Sequence, residues 1–234
     1  MRSKLSFVRE FRRFQKLSGN GDGRFAPSWE DRYPCLNDQT PNTDFDRHYI
    51  YHPAWAARVL AQTKPDSHVD ISSSLHFCTL VSAFIPVKFY DYRPAKLQLS
   101  NLTSGAADLH ALPFEDDSIA SLSCMHVVEH IGLGRYGDPL DPLGDLKAIK
   151  ELTRVLARGG SLLFVVPIGK PKVMFNAHRI YSYEMVLNAF AELALEEFAL
   201  IPDSAQLGGL IYNATREMAD AQTYGCGCFR FKKA

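Results

Sequence analysis

Residues 107–131 read ADLHALPFEDDSIASLSCMHVVEHI. An acid, Asp108, is followed by a turn-forming stretch from Leu112 to Ser118, then by the β-rich run 119–125, and directly after it by His126, Glu129 and His130. A strand thus ends in titratable side chains, and an acid ends the segment before it. Moving toward the N-terminus, residues 68–71 and 87–91 read as strands, 77–84 as a helix, and a short strand ends near Asp108. Toward the C-terminus, 143–156 reads as a helix, Arg158-Gly159-Gly160 as the left-handed turn that ends it, and 161–166 as the next strand. A helix over 182–193 follows, with Ser182 as its cap. The runs 195–201 and 224–231 suit a closing antiparallel pair. Strands alternating with helices predict an α/β domain built on a parallel sheet with crossover helices.

Ahead of the first strand, residues 54–62 form a helix-like run with Trp55, Val59 and Leu60 as its packing face and Pro53 placed in its first turn. Residues 19–46, rich in Gly, Asn, Asp and Pro, read as a long connection rather than as packed elements. Before them lie Arg2, Lys4, Arg9, Arg12, Arg13 and Lys16 against Glu10 alone, with Phe7, Phe11 and Phe14 at helical spacing. This predicts an amphipathic surface helix, laid over the domain or, as the competing reading, touching the inner face of a membrane through residues 1–17. The expected organisation is a basic arm and loop over 1–46 and one domain over 47–234.

The 234 residues are 46% hydrophobic, enough for a sizeable core, and Lys plus Arg equal Asp plus Glu at 26 each. No overall field attracts nucleic acid or another polyanion. Apolar runs fall far short of the ~20 residues of a membrane span, and no signal-peptide core is visible, so a cytoplasmic protein is expected. The five cysteines lack C-x-x-C spacing. Cys226 and Cys228 alternate with glycines along a strand and would share one face; they are read as buried packing, with no metal assigned.

Ligands of an open parallel sheet bind beyond the carboxyl ends of its strands. An acid ending the second strand, Asp91, can accept hydrogen bonds from both hydroxyls of a ribose; the same residue suits a turn ahead of Pro94. The order of segments from Ala107 to Ile131, together with Glu151-Leu152-Thr153-Arg154-Val155-Leu156-Ala157-Arg158-Gly159-Gly160 and Pro167, resembles class I S-adenosylmethionine-dependent methyltransferases of the type 11 kind. The resemblance covers roughly residues 67–200. It implies a Rossmann-like fold: a mostly parallel seven-stranded sheet with an antiparallel C-terminal strand and helices on both faces. Residues 132–139 and 225–228 are similar to a little-characterised branch of unknown function associated with bacterial surface-polysaccharide genes.

Carried onto this chain, the resemblance implies S-adenosylmethionine as cofactor, with Asp91 on the ribose, Asp108 on the adenine amino group, the Leu109 backbone at the ring edge, and Phe89 or Tyr92 over the adenine face. The first loop departs from the Gly-rich pattern: Asp70 is followed by Ile71 and then by Ser72, Ser73 and Ser74, which are expected to bind the cofactor through small hydroxyls. Methyl transfer to an alcohol needs alignment and removal of a proton. His126, His178 and Glu129 are the candidates, while His130 reads as a cap or packing residue. Arg135, Tyr136 and Asp138, in a loop that also holds Asp141, suit a polar acceptor such as a sugar. The expected function is O-methylation of a small or saccharide-linked acceptor, with a non-catalytic binding or assembly protein as the alternative. A nicotinamide oxidoreductase is disfavoured because no G-x-G-x-x-G follows the first strand.

Overall fold

A computed structural model describes residues 3–19 and 25–234, which divide into two compact units, Met1–Phe45 and Asp46–Ala234. Arg2 of the basic arm lies outside the described residues. In the first unit α1, Lys4–Ser18, starts at Ser3, whose hydroxyl accepts from the Ser6 N–H at 3.1 Å. Phe7 and Phe11 meet the Trp29 ring at centroid distances of 6.3 and 5.0 Å. The stretch expected to be a bare connection therefore packs in part on the arm, through one aromatic residue that its polar composition hides.

The second unit begins with α2, Arg47–Thr63, capped by Asp46, whose side chain accepts from the Tyr49 N–H. This corrects the expected start: Pro53 stands inside the helix, not in its first turn. The ring removes a backbone donor, and burial of Trp55, Ala56, Val59 and Leu60 offsets that loss. Then come β1 (His68–Ile71), α3 (Leu75–Val81), β2 (Val87–Asp91), β3 (Leu102–Ala106), β4 (Ile119–Met125), α4 (Gly144–Val155) and β5 (Leu156–Ile168). A hairpin of β6 (Lys172–Met174) and β7 (His178–Ile180), unforeseen in the sequence, precedes α5 (Tyr183–Ala189), β8 (Leu193–Ile201), β9 (Ile211–Tyr212), α6 (Arg216–Asp220) and β10 (Gly225–Lys233).

The large sheet has the order β3-β2-β1-β4-β5-β10-β8-β9. The first five strands are parallel and β10 runs antiparallel between β5 and β8. The two-residue edge strand β9 adds an eighth member to the seven expected. Alternation along β5 sorts its side chains: Leu162, Phe164 and Val166 join Ile149 and Leu152 of α4 on one face, and Leu163 and Val165 join Trp55, Leu60 and Phe77 on the other. Each such side chain contributes about 1.5–3 kcal/mol by leaving water. Opposite Tyr90, Gly105 of β3 leaves room for the ring, since a Cβ there would lie 2.9 Å from it.

Strand order reverses at β1, which lies between β2 and β4, so a crevice opens beyond the carboxyl ends of β1 and β4. A buried polar ladder fixes these two strands. His68 Nδ1 and Nε2 lie 2.8 Å from the hydroxyls of Ser121 and Ser123, and Ser123 donates to Asp70. Among the described residues no helix is long and apolar enough to cross a membrane.

Candidate functional site

The crevice holds a cavity of about 160 Å³ lined by Ser72, Asp91, Tyr92, Asp108, Leu109 and His126, and also by Arg93, His130, Tyr136 and Asp138. An open surface depression beside it shares Tyr92, Ala107 and Asp108. Asp91 ends β2; its Oδ1 accepts from the Arg93 N–H at 2.7 Å, so the residue both shapes the turn and faces the cavity. Asp108 likewise takes the His110 N–H at 2.8 Å with half of its side chain exposed. Leu109 is buried beside it.

The first loop divides its residues between two tasks. Ser72 stands at φ +57°, the left-handed conformation that glycine takes most readily, and donates to the Tyr90 carbonyl at 3.2 Å. Asp70, Ser73 and Ser74 do not line the cavity. Asp70 is wholly buried and accepts from the Ser73 N–H, the Ser123 hydroxyl and the Cys78 thiol, with its carboxyl pushed up to about 6 by burial. The Ser73 hydroxyl accepts from the Met125 N–H at 2.9 Å. These side chains hold the loop onto β4, while Ser72 alone meets the cavity.

At the end of β4 the chain turns sharply, with His126 at φ +57°. Its Nδ1 donates to Glu129 Oε1 at 2.8 Å and its Nε2 lies 3.4 Å from Cys226 Sγ. Burial lowers His126 to about 4 and raises Glu129 to about 7. Glu129 Oε2 is buried without a partner. His130 donates from Nδ1 to the Ala177 carbonyl at 2.6 Å, the packing role expected for it. His178 opens β7, half-buried, with its ring 5.0 Å from that of Tyr224 and 6.4 Å from that of His130. Desolvation is the main cause of its lowered pKa, which leaves it neutral at neutral pH.

The loop after His130 is braced from within. Asp138 accepts from the N–H groups of Gly132, Tyr136 and Gly134 at 2.8, 3.1 and 3.3 Å, which holds its carboxyl below the usual range against the opposing effect of desolvation. Asp138 also lines the cavity, whereas Arg135 of the same loop does not. Arg135 and Arg93 both lie over the Tyr136 ring, at 5.1 and 4.7 Å, and of these three Arg93 and Tyr136 line the cavity. Arg179, buried behind the loop, donates to the Ile131 carbonyl at 2.6 Å and pairs with Asp145 at 3.6 Å.

Sequence reasoning passed over the contribution of α2. His48, Tyr49 and His52 put their rings 5.2, 5.4 and 5.0 Å from that of His126. The signal is present, since His48 and His52 stand four residues apart and so on one helix face, but the helix-like run expected from the sequence begins only at residue 54.

Residues 102–196 match the family described as Caenorhabditis protein of unknown function, DUF268. No curated protein matches the sequence. Among solved structures, the chain is similar to the N-methyltransferase NodS from Bradyrhizobium japonicum in complex with S-adenosyl-L-homocysteine, with a TM-score of 0.58 and 13% identity over 81% of this chain and 89% of that one. It is also similar to the YcgJ protein from Bacillus subtilis, with a TM-score of 0.51 and 16% identity over 77% of this chain and 99% of that one. The fold is therefore that of the Rossmann-like class I S-adenosylmethionine-dependent methyltransferases.

Proposed function

We propose that the domain binds S-adenosylmethionine at the β1/β4 crevice and methylates an oxygen of a small or saccharide-linked acceptor. One observation carries this reading: Ser72, Asp91, Tyr92, Asp108, Leu109 and His126, drawn from separate strand ends, line one cavity. The serine-bearing loop fits the cofactor as well, because Ser72 keeps the left-handed backbone that a glycine would supply there. When bound, the cofactor supplies a methyl group activated by a sulfonium. The chain does the rest. Asp91 offers a carboxylate oxygen to the ribose, Tyr92 a ring to the adenine face, and Asp108 and Leu109 the edge of the base. Tyr136 and Asp138 form the acceptor wall, with Arg135 packed over the Tyr136 ring.

His178 is the proposed proton acceptor. It is neutral at neutral pH, while His126 has both ring nitrogens engaged, by Glu129 and Cys226. His178 does not itself line the cavity, but its ring lies 6.4 Å from that of His130, which does, and a neutral imidazole brought against the acceptor can take the hydroxyl proton as the oxygen attacks. The saccharide setting draws support from the polar entrance and from the resemblance of residues 132–139. Contact of residues 1–17 with an anionic membrane surface belongs to the same reading, supported by the basic residues of α1.

Incubation with S-adenosylmethionine carrying a labelled methyl group, against a panel of hydroxyl-bearing saccharide acceptors, tests the proposal. Transfer of label with release of S-adenosylhomocysteine supports it. Cofactor binding with no transfer to any acceptor of the panel would favour a non-catalytic binding protein.

A further inference from the structure

Three residues far apart in the sequence meet beside the crevice: His48 from α2, His126 after β4 and Cys226 from β10. All three are buried, and one ligand-type atom of each lies within 4.8 Å of the other two. The contact between His126 Nε2 and Cys226 Sγ, 3.4 Å, is close to the edge of a tetrahedron built with Zn–S about 2.3 Å and Zn–N about 2.0–2.1 Å, which is roughly 3.5 Å. We propose that this group is a metal site for a divalent ion of the zinc type, held by His48, His126 Nε2 and the Cys226 thiolate, with a fourth position left for water or a ligand oxygen.

Two further observations point the same way. A metal-bound histidine almost always donates its second ring N–H to a carboxylate or carbonyl, which fixes the ring and its tautomer. His126 does so, from Nδ1 to Glu129 Oε1 at 2.8 Å. The second concerns polar atoms without partners. His52 Nε2 and Glu129 Oε2 are both buried with no hydrogen bond among the described residues, and the His52 ring sits 5.0 Å from that of His126. Buried polar atoms ordinarily find partners, and a bound ion with its water would supply what these lack. The donor set of two imidazoles and one thiolate suits zinc, or cobalt in its place, and does not suit magnesium or calcium. Binding forms one metal–sulfur and two metal–nitrogen bonds, and the thiol proton of Cys226 leaves to solvent.

The inference is independent of the cofactor reading, because the ion is detected directly. The full-length protein, freed of metal by dialysis against a chelator, is titrated with Co²⁺ and followed by absorption, then back-titrated with Zn²⁺. One equivalent of Co²⁺ should produce a thiolate-to-cobalt charge-transfer band together with the strong visible bands of four-coordinate cobalt, and Zn²⁺ should displace both. Cys226→Ser should remove the charge-transfer band, Cys228→Ser should keep it, and Glu129→Gln should weaken affinity about 10–100-fold at unchanged stoichiometry. Should the strand variant fail to unfold cooperatively, His48→Gln, at the first turn of α2, serves in its place and should abolish the four-coordinate spectrum. Absence of saturable binding at one equivalent, or a charge-transfer band that survives in folded Cys226→Ser, overturns the proposal.

Discussion

Replacing Arg179 by Met keeps most of the side chain's volume and removes its charge. In the folded protein the guanidinium donates to the Ile131 carbonyl at 2.6 Å, reaches the carbonyls of Asp141 and Pro142 at 3.4 Å, and lies 3.6 Å from Asp145, with both charged side chains 9% exposed. Breaking a buried pair by deleting one member costs about 3–5 kcal/mol, because the other charge stays buried without compensation. Asp145 keeps the Tyr181 hydroxyl at 3.0 Å and sits in the first turn of α4, where helix N–H groups favour an anion. Those contacts place the expected loss at the lower end, about 3 kcal/mol. Urea unfolding at neutral pH reads it as a fall in midpoint of about 1 M or more. The double variant Arg179→Met, Asp145→Asn should recover at least about 1 kcal/mol of what Arg179→Met alone loses, since the orphaned charge is gone. A loss below about 1 kcal/mol in the single variant, or no recovery in the double, would mean that Arg179 does not anchor the cavity's outer loop.

Asp91→Ala removes the charged acceptor for two ribose hydroxyls, each worth about 1.5–3 kcal/mol, so calorimetry should show S-adenosylhomocysteine bound at least about 100-fold more weakly; a change under five-fold would take Asp91 out of the site. Gly132 stands at φ +78°, and a Cβ there would lie against the Asp141 carbonyl oxygen; Gly132→Ala should open the loop and expose the 132–141 segment to limited proteolysis, and an unchanged digestion pattern would count against that strain. His68, held down to about 3 by burial, is neutral when folded and free to charge when unfolded, so its contribution is present above pH 6.5 and lost as pH falls toward 3. Asp70, raised to about 6, acts in the opposite sense, since the folded state takes up its proton between pH 6 and 4 before the unfolded chain does. Asp70→Asn should therefore steepen acid destabilisation in that window by up to about 1.4 kcal/mol per pH unit; parallel stability profiles for variant and wild type would contradict this.

The parallel strands were legible because β-rich runs, ended by Asp91 and by the His126 turn, are local signals, and the antiparallel closing pair followed from two β-like runs separated by a polar stretch. What escaped was set by tertiary context. Pro53 looked like a helix start, yet burial of Trp55 and Leu60 carries the helix through it from Asp46. The three-residue strands of the β6–β7 hairpin have no periodicity to read, although they carry His178. The site shows the same division. Asp91, Asp108 and His126 fall at strand ends, where topology alone directs them into the crevice. Asp70 and Ser73 lie in the same loop as Ser72 and yet turn inward to bond Ser123 and Met125. A one-residue difference in backbone conformation decides that, and residue type does not encode it. The grouping of His48, His126 and Cys226 comes from three elements separated by long stretches of chain, and no spacing rule joins them.

Calorimetric titration of the wild-type protein with S-adenosylhomocysteine, with NAD as the control, decides whether the crevice is a site for S-adenosylmethionine. Saturable binding of S-adenosylhomocysteine at one site per chain, with no heat from NAD, is the expected result. Absence of binding up to about 1 mM ligand, where the free energy would be only about −4 kcal/mol, would contradict it, as would NAD binding in its place.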